Sequence, residues 1–457
     1  MRPASAAALV AALTFSSFPA CKRSRLPPRA DGAAVVVAPE PAADSDVAAA
    51  PETEPNDTPA KAQRLVMSTA APVAVAGAVA WPVGGRPDVD VYRLDFPPDD
   101  AGAGAASGAG GAPGDGAVPP PRPRFTIRVD ARPDVGAGVK LDITDEAGKS
   151  LLAVTGAEPG QPLSIPNLSS AGGATLVRVR RVAAGEAPGK YRLIVKAAAL
   201  EPGAEVEPDD TAAAANELAL PGEAIGYLGW KKDQDFYRMP TAGLAEGSVI
   251  AADLDPVPGV SAKLALLDAG AHTLSEAHGR RGERVALRNV LVPAGAAQVY
   301  LVAASDYGWN ADQRYAVRVR AELPRPGAEA EPNDDAAHAQ AVTDGSTVQG
   351  YLGRGDVDLY RYAAVAPAVL VVEIAPPERA SLKLELSNDA GVVLARGKPA
   401  GKGARAPLRA SLPLPSGSVL VRVIAGRGEG NPDEPYRLTI SSRPAEADGG
   451  AAPPAEQ

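Results

Sequence analysis

The sequence has 457 residues, a length that predicts about three domains. Its 46 basic and 55 acidic residues give a net charge of −9, which argues against a nucleic-acid binder because phosphate contacts need clustered lysine and arginine. One cysteine excludes a disulfide framework and a cysteine-based zinc site, and three histidines leave little material for histidine-based catalysis or metal binding.

The N-terminus has the pattern of an export signal. Arg2 precedes an apolar run over residues 4–18, which is shorter than the roughly 20 residues of a membrane-spanning helix but fits a secretory signal. The run ends in Phe18-Pro19-Ala20-Cys21, which resembles a bacterial lipobox. This resemblance implies that a signal peptide over residues 1–20 is removed and that Cys21 carries lipid. An ordinary secretory signal with an incidental cysteine is the alternative.

The rest of the chain is expected to be exported and held at the bacterial cell envelope by this lipid, since acyl chains bind a membrane without a spanning helix. Lys22, directly after the cysteine, favours the outer membrane. Residues 21–50 are rich in alanine and proline and predict a flexible tether. Residues 444–457 predict a disordered tail.

One series of motifs occurs three times, which predicts three tandem domains over residues 51–198, 205–323 and 329–443. Each series has a Glu-x-Glu-Pro-Asn/Asp-Asp segment, an Ala-rich stretch, a Gly-led strand, an Asp-x-Asp-x-Tyr motif and a closing strand that begins with tyrosine. Apart from the Ala-rich stretch, these features begin at Glu52, Glu205 and Glu329, at Gly77, Gly226 and Gly350, at Asp88, Asp233 and Asp356, and at Tyr191, Tyr315 and Tyr436. A Gly/Ala/Pro-rich insertion in one loop, residues 101–124, lengthens the first series.

The hydrophobic pattern between these motifs is that of β-strands. Apolar and polar residues alternate over residues 125–129, and Val177 and Val179 flank Arg178. Several short strands in each repeat, separated by Gly, Pro and Asp turns, predict an all-β chain. The expected architecture is three tandem antiparallel β-sandwich, jelly-roll-like domains behind a flexible N-terminal tether.

The order of the motifs resembles the bacterial pre-peptidase C-terminal domain family, whose members are small β-sandwiches found beside secreted peptidases. The resemblance covers most of the chain after the tether. It implies substrate-binding or matrix-binding modules, some of which bind Ca²⁺ through acidic residues. Carried onto this sequence, the candidate metal ligands are Glu52, Glu54, Asn56, Asp57, Asp88, Asp90, Glu205, Glu207, Asp209, Asp210, Asp233, Asp235, Glu329, Glu331, Asn333, Asp334, Asp356 and Asp358.

Physical chemistry supports the same hypothesis independently. Ca²⁺ binds six to eight hard oxygen atoms. Alternate residues of an extended segment point to one side, so Glu-x-Glu and Asp-x-Asp each present two carboxylates, and a cluster forms if the two segments meet. The alternative is that these residues only cap short turns and form Asx-turns.

Four aromatic residues are candidates for ligand contacts. Trp81 and Trp230 occupy equivalent positions beside the acidic motifs, and Tyr307 and Trp309 belong to a polar loop. An exposed tryptophan can stack on a sugar or bind a peptide, whereas a buried one would seal the end of a sandwich.

The favoured function is that of a non-catalytic, lipid-anchored cell-envelope protein that presents three modules to an unknown protein, matrix or polysaccharide ligand, or acts as a structural spacer. An accessory or secretion-type module for a separate secreted peptidase is the alternative. The sequence has no G-x-S-x-G, H-E-x-x-H or P-loop motif, so we expect no enzyme. A hydrolase that uses the acidic clusters is the least favoured option.

Overall fold

The computed structural model describes residues 47–80, 88–95, 125–156, 158–169, 175–182, 189–378, 380–400, 406–415, 417–426 and 430–444. Cys21, Trp81, the signal peptide and the insertion at 101–124 lie outside this part of the chain, as do most of the predicted tether and tail. The described residues contain 29 strands and one short 3₁₀ helix at Pro59–Lys61, which confirms the prediction of an all-β chain. None of the described segments forms a helix that is long and apolar enough to cross a membrane.

The strands follow the three repeats. The first repeat contains β1 (Ala49–Pro51), β2 (Gln63–Val66), β3 (Val73–Val79), β4 (Val89–Asp95), β5 (Phe125–Pro133), β6 (Val139–Thr144), β7 (Ser150–Thr155), β8 (Leu163–Ser169), β9 (Thr175–Arg181) and β10 (Gly189–Ala199). The second contains β11 (Asn216–Glu217), β12 (Gly222–Leu228), β13 (Gln234–Pro240), β14 (Val249–Leu254), β15 (Ser261–Leu267), β16 (Thr273–Arg281), β17 (Val285–Leu291), β18 (Gln298–Tyr307) and β19 (Asn310–Glu322). The third contains β20 (Gln340–Val342), β21 (Thr347–Leu352), β22 (Val357–Ala364), β23 (Ala368–Ala375), β24 (Leu382–Ser387), β25 (Val393–Arg396), β26 (Lys398–Pro399), β27 (Leu408–Leu414), β28 (Gly417–Ala425) and β29 (Asn431–Pro444).

Each repeat contributes two sheets. The sheet that contains the Gly-led strand, here the Gly-strand sheet, has the orders β1-β3-β10-β5-β8, β12-β19-β14-β17 and β21-β29-β23-β27-β26 in the three repeats. The sheet that contains the Asp-x-Asp motif, here the Asp-strand sheet, has the orders β2-β4-β9-β6-β7, β11-β13-β18-β15-β16 and β20-β22-β28-β24-β25. The corresponding strands therefore occupy the same positions in all three repeats.

Two details differ from the sequence prediction. The sheets are not purely antiparallel, because the short strands β1, β2, β11 and β20 pair in parallel with the next strand inward. The end of the predicted tether is also structured, since Ala49 and Ala50 belong to β1 and pair with β3. Backbone hydrogen bonding extends to the edge of each sheet, so a residue at this edge can be ordered without any hydrophobic pattern of its own.

The apolar residues of the two sheets in each repeat share one hydrophobic cluster. Alternate positions of facing strands supply it, for example Ile127 and Val177 in the first repeat and Leu386 and Ile440 in the third. The clusters consist mainly of valine, leucine and isoleucine, as the low aromatic content requires. The described residues from Val47 onward nevertheless form one continuous unit, so the predicted domain boundaries stay predictions.

Candidate metal centre

The Glu-x-Glu and Asp-x-Asp segments meet in every repeat. The backbone of the Glu-x-Glu segment follows the edge of the Gly-strand sheet, where the Glu205 N–H donates to the Ile225 carbonyl at 2.9 Å. The Asp-x-Asp segment enters the Asp-strand sheet through β4, β13 or β22. The acidic side chains thus come from two different sheets and converge between them.

The convergence is closest in the second repeat. One carboxylate oxygen from each of Glu207, Asp233 and Asp235 lies within 4.8 Å of the other two, and the same holds for Glu205, Asp209 and Asp235. All five side chains are at most 1% exposed. Two ligands on opposite sides of one Ca²⁺ ion are at most about 5 Å apart, so this spacing suits a shared cation.

The other two repeats have the same arrangement with three acidic residues in place of five. Their clusters consist of Glu52, Glu54 and Asp90 in the first repeat and of Glu329, Glu331 and Asp358 in the third. Asn56 and Asn333 stand where the second repeat has Asp209, and both are fully buried.

One oxygen of each carboxylate in the second repeat is held by a hydrogen bond. The pairs are Tyr227 N–H to Glu205 Oε1 at 2.6 Å, Asp209 N–H to Glu207 Oε2 at 3.0 Å, Asn216 Nδ2–H to Asp209 Oδ2 at 2.6 Å, Gly229 N–H to Asp233 Oδ2 at 2.5 Å, and Tyr315 O–H to Asp235 Oδ2. These bonds fix the orientation of each acidic group. The second oxygen of Glu205 also accepts hydrogen bonds, from the hydroxyls of Tyr237 and Tyr315, whereas the second oxygens of the other four carboxylates are directed elsewhere.

The second oxygens are the unusual feature of the site. Four of them are buried without a hydrogen-bond partner, namely Glu207 Oε1, Asp209 Oδ1, Asp233 Oδ1 and Asp235 Oδ1. Asp90 Oδ1, Asp358 Oδ1 and both amide atoms of Asn56 and Asn333 are in the same condition. Buried polar atoms nearly always have partners, and an unpaired buried charge is strongly destabilising. One hard cation in each repeat would satisfy the unpartnered oxygens of that repeat together, but not the Nδ2 donors of Asn56 and Asn333.

Burial shifts the ionisation of the cluster. Desolvation raises the pKa of Glu205 to about 7, and the pKa values of Asp90 and Glu331 to about 8. Desolvation, followed by the charges of neighbouring carboxylates, holds the pKa of Asp235 well above its usual range. The groups therefore resist ionisation unless positive charge enters the site.

Two features of the site were not predicted from the sequence. The first is a pair of buried tyrosines that links the two sheets next to the acidic side chains, with the hydroxyls of Tyr237 and Tyr315 2.6 Å apart. Tyr92 pairs with Tyr191, and Tyr360 pairs with Tyr436, in the same way. The recurrence of these tyrosines in the Asp-x-Asp-x-Tyr motif and at the start of the closing strand was the signal that they act together.

The second feature is an amide after each Ala-rich stretch. Asn216 Oδ1 accepts the Val206 N–H at 3.1 Å, and Gln340 Oε1 accepts the Ala330 N–H at 3.1 Å. Gln63 makes the equivalent bond to Thr53 at 2.9 Å. In all three cases the donor lies between the two glutamates, so the amide fixes the Glu-x-Glu segment.

Five predicted acidic ligands lie beside the clusters rather than within them, namely Asp57, Asp88, Asp210, Asp334 and Asp356. Asp57 and Asp334 are exposed, whereas Asp210 is half-buried and accepts the Gln234 N–H at 3.2 Å. The turn-capping alternative applies to Asp335, whose Oδ1 accepts the N–H groups of Ala337 and His338.

The first aspartates of the three Asp-x-Asp motifs each accept one backbone N–H through Oδ2. These bonds are Ala80 N–H to Asp88 at 2.5 Å, Gly229 N–H to Asp233 at 2.5 Å and Gly353 N–H to Asp356 at 2.9 Å.

The aromatic candidates separate into two groups. Trp230 is 6% exposed and packs into the hydrophobic cluster of the first repeat, as the alternative of a buried tryptophan describes. Burial of its large apolar indole against the neighbouring repeat stabilises the protein more than exposure of the indole to solvent would. Tyr307 and Trp309 are 64% and 37% exposed at the tip of the β18–β19 hairpin, where the Arg281 guanidinium lies 4.8 Å from the centre of the Tyr307 ring.

Comparisons with known proteins give only distant similarities. A scan against protein-family models finds no match, and a search of curated proteins finds no significant match. Among solved structures, the pre-peptidase C-terminal domain of collagenase from Bacillus anthracis is 19% identical, with 22% of this chain and 94% of that chain covered and a TM-score of 0.20.

A secreted protein from Eubacterium rectale is 9% identical, covers 51% of this chain and 81% of its own, and has a TM-score of 0.17. The PBSX exported protein XepA is 10% identical, with coverages of 48% and 86% and a TM-score of 0.17. All three TM-scores lie well below 0.5, so none of these similarities establishes a shared overall fold.

The Gly350→Ala variant tests the packing beneath the acids. A Cβ at Gly350 would overlap the Glu329 carboxylate and the Tyr436 hydroxyl. We expect a loss of about 1–3 kcal/mol in the free energy of unfolding, measured by chemical denaturation, because overpacking forces the buried neighbours apart. Gly353→Ala is the matched control, since its Cβ would lie 3.6 Å from Asp356 Oδ2, an ordinary contact. Equal stability of the two variants would contradict the packing described here.

The pH dependence of stability in chelator tests the burial of the acids. Asp90 and Glu331 have folded-state pKa values of about 8, above the roughly 4 of unfolded carboxyls, so the folded chain holds more protons between these values. Metal-free protein should therefore lose stability as the pH rises from about 5 to about 8, as measured by calorimetric unfolding in EDTA. Asp90→Asn with Glu331→Gln should make this decrease smaller, because two of the carboxyls with raised pKa values are removed. A melting temperature that rises over the same interval would refute the assignment.

Proposed function

We propose that this chain is an exported, non-catalytic envelope protein built from three tandem β-sandwich modules, each stabilised by a divalent cation, most suitably Ca²⁺. The observation that carries the proposal is the set of fully buried oxygens without partners, at equivalent positions in all three repeats. A structural role for the cation explains why the same cluster occurs three times, whereas an active site needs only one copy.

The module architecture rests on the pairing of the sheets. Each repeat supplies two sheets and a hydrophobic cluster between them, as in a β-sandwich. The order of the motifs along the chain supports a relationship to pre-peptidase C-terminal domains. That relationship is a proposal drawn from the sequence motifs.

The donor set favours calcium among the biological cations. Carboxylate and amide oxygens surround each site, and these hard donors suit Ca²⁺ or Mg²⁺ rather than zinc or copper. The second repeat offers five acidic side chains, more than the one or two carboxylates that Mg²⁺ usually takes together with its retained waters. The full burial of these side chains leaves little room for such waters.

The same burial argues against hydrolysis. Glu205, Glu207 and Asp235 are each at most 1% exposed, so a glycan or peptide chain cannot reach their carboxylates in this conformation. The Tyr315 hydroxyl also occupies one oxygen of Asp235. Both features suit a buried cation site and oppose a paired-carboxylate glycosidase, which needs its two acids in an open cleft.

The hairpin tip with Tyr307 and Trp309 is the surface we assign to an external protein or polysaccharide ligand. Its support is the exposure of two aromatic rings beside Arg281 on one loop. Aromatic faces and a guanidinium are common in contacts with sugars and peptides. A spacer role needs no such surface, and an accessory role beside a separate peptidase would use it.

Calcium-dependent melting tests the cation sites. In Ca²⁺ at 100 times its dissociation constant, each occupied site should add about 2.7 kcal/mol to the free energy of unfolding. Asp235→Asn should lower the melting temperature in Ca²⁺ and raise it in chelator, because the neutral amide removes a ligand but also relieves repulsion. Asp255→Asn, an exposed partner of Arg318 in the same repeat, is the control and should retain the full calcium response. An unchanged melting temperature in millimolar Ca²⁺ would refute the cation sites.

The lipid anchor has a separate test. Cys21→Ser removes the proposed acceptor of the lipid without touching any described residue. We expect the wild-type chain to partition with membranes and to incorporate labelled palmitate in a bacterial host, and the variant to lose both properties. Membrane association that survives the substitution would refute the anchor.

A further inference from the structure

The cation clusters of the second and third repeats lie at the contacts between repeats. In these two repeats, the backbone of the second glutamate of the Glu-x-Glu segment, Glu207 or Glu331, forms a β-bridge to the last strand of the preceding Gly-strand sheet. The bonds are Glu207 N–H to the Asn167 carbonyl at 2.9 Å, Ser169 N–H to the Glu207 carbonyl at 2.8 Å, Glu331 N–H to the Asn289 carbonyl at 3.0 Å, and Leu291 N–H to the Glu331 carbonyl at 2.8 Å. A single residue therefore offers its side chain to the cluster and its main chain to the neighbouring repeat.

The acceptor strands are shaped for this contact. Asn167 and Asn289 have positive φ angles of 55° and 53°, and the register of their strands shifts nearby. Asparagine tolerates this backbone conformation better than most residues. The corresponding strand of the third repeat, β27, has an unbroken register and pairs with β26 on its other side. The positive-φ asparagine and the register shift therefore occur in the first and second repeats, whose strands accept the bridges from the next repeat.

In the part of the chain that the structure describes, no other repeat bridges to the second glutamate of the first repeat. Glu54 is exposed there, whereas its counterparts Glu207 and Glu331 are 1% and 5% exposed. The local motif is the same in all three, and the preceding repeat covers only the latter two. The neighbouring repeat therefore completes the enclosure of the second and third clusters.

Further contacts tie the ligand loops to the junctions. Trp230, which packs into the first repeat, directly follows Gly229, whose N–H holds Asp233. At the next junction, a cleft of about 30 Å³ is lined by Glu331 and Asp356 on one side and by Arg288 on the other. A change in the packing of the repeats at either junction would therefore displace residues that hold or neighbour the acidic cluster.

Resting on the proposed cation binding, we infer that the second and third sites are junction sites, at which a divalent cation fixes the orientation of one repeat against the next. The fully buried Asp235 Oδ1 and Asp358 Oδ1, which have no partners, point to such an ion at each junction. Without the ion, the carboxylates repel one another beside the bridges at Glu207 and Glu331 and loosen the junctions. The cation of the first repeat stiffens that repeat alone.

Pulsed electron-spin resonance distances test this inference in the whole chain. Two double-cysteine variants in a Cys21→Ser background carry the spin labels at exposed positions. Labels at Ala153 and Thr273 span the first junction, and labels at Thr273 and Val392 span the second. Ca²⁺ should narrow both distance distributions at least about twofold relative to EDTA, because it restricts the relative orientation of the repeats. Calorimetric titration of the same samples should give three bound ions per chain.

Single-site variants separate a junction effect from a local one. Asp235→Asn should abolish the narrowing across the first junction only, and Asp358→Asn across the second only. Asp90→Asn is the matched control, which should lose one bound ion and keep both distributions narrow. Trp230→Ala should weaken calcium binding at the second site by about tenfold, since coupling between a site and a junction is reciprocal. Trp230→Phe should restore most of this affinity.

The outcomes distinguish the inference from the proposed function. Three bound ions with distance distributions that are equally broad or equally narrow in Ca²⁺ and EDTA would overturn the junction role and leave the cation sites intact. No calcium binding in titration would overturn the cation sites and the junction role together. Narrowing that persists in Asp235→Asn and Asp358→Asn would also overturn the junction role.

Discussion

The structure depends on the cost of burying several carboxylates together. In the second repeat five acidic side chains leave water almost completely, and four of their oxygens have no hydrogen-bond partner. Two like charges 4 Å apart repel by about 4 kcal/mol at an effective dielectric constant near 20. Protonation can relieve this repulsion, as the raised pKa values indicate. A single divalent cation also relieves it, and in addition it is coordinated by the oxygens that have no hydrogen-bond donor. The tyrosine pair, the glycine above it and the amide that fixes the Glu-x-Glu segment all serve to hold these oxygens in place.

The cluster also explains the order of the motifs in the sequence. The glutamates follow the edge of one sheet, whereas Asp90, Asp235 and Asp358 lie in strands of the other, so the cluster links the two sheets of each repeat. Gly226 and its counterparts leave room for the tyrosine hydroxyl and the first glutamate, because a Cβ at Gly226 would lie 2.5 Å from the Tyr315 hydroxyl. The same second glutamate then bridges to the preceding repeat. Sheet pairing, acid burial and the connection between repeats are therefore consequences of one short segment.

The sequence predicted the all-β class, the three repeats and most members of each cluster. Strand periodicity and repeated motifs are local signals, and they were sufficient for these features. Whether the two acidic segments meet could not be read from the sequence, because Glu205 lies at the edge of one sheet and Asp235 in a strand of the other, and the packing of the two sheets is a tertiary property. The burial of Trp230 could not be predicted for a related reason, since the surface that buries it lies in another repeat. Asn167 and Asn289 had no visible signal, because a positive φ angle on asparagine is set by the register of its strand.

A crystal structure of the chain grown in Ca²⁺, with anomalous scattering used to identify the metal, tests the central claim most directly. The account predicts one ion in each cluster, with Glu207 Oε1, Asp233 Oδ1 and Asp235 Oδ1 about 2.3–2.6 Å from the ion in the second repeat. The account would be contradicted if, at millimolar Ca²⁺, the clusters hold only water, or if the carboxyl groups within a cluster are hydrogen-bonded directly to one another through shared protons.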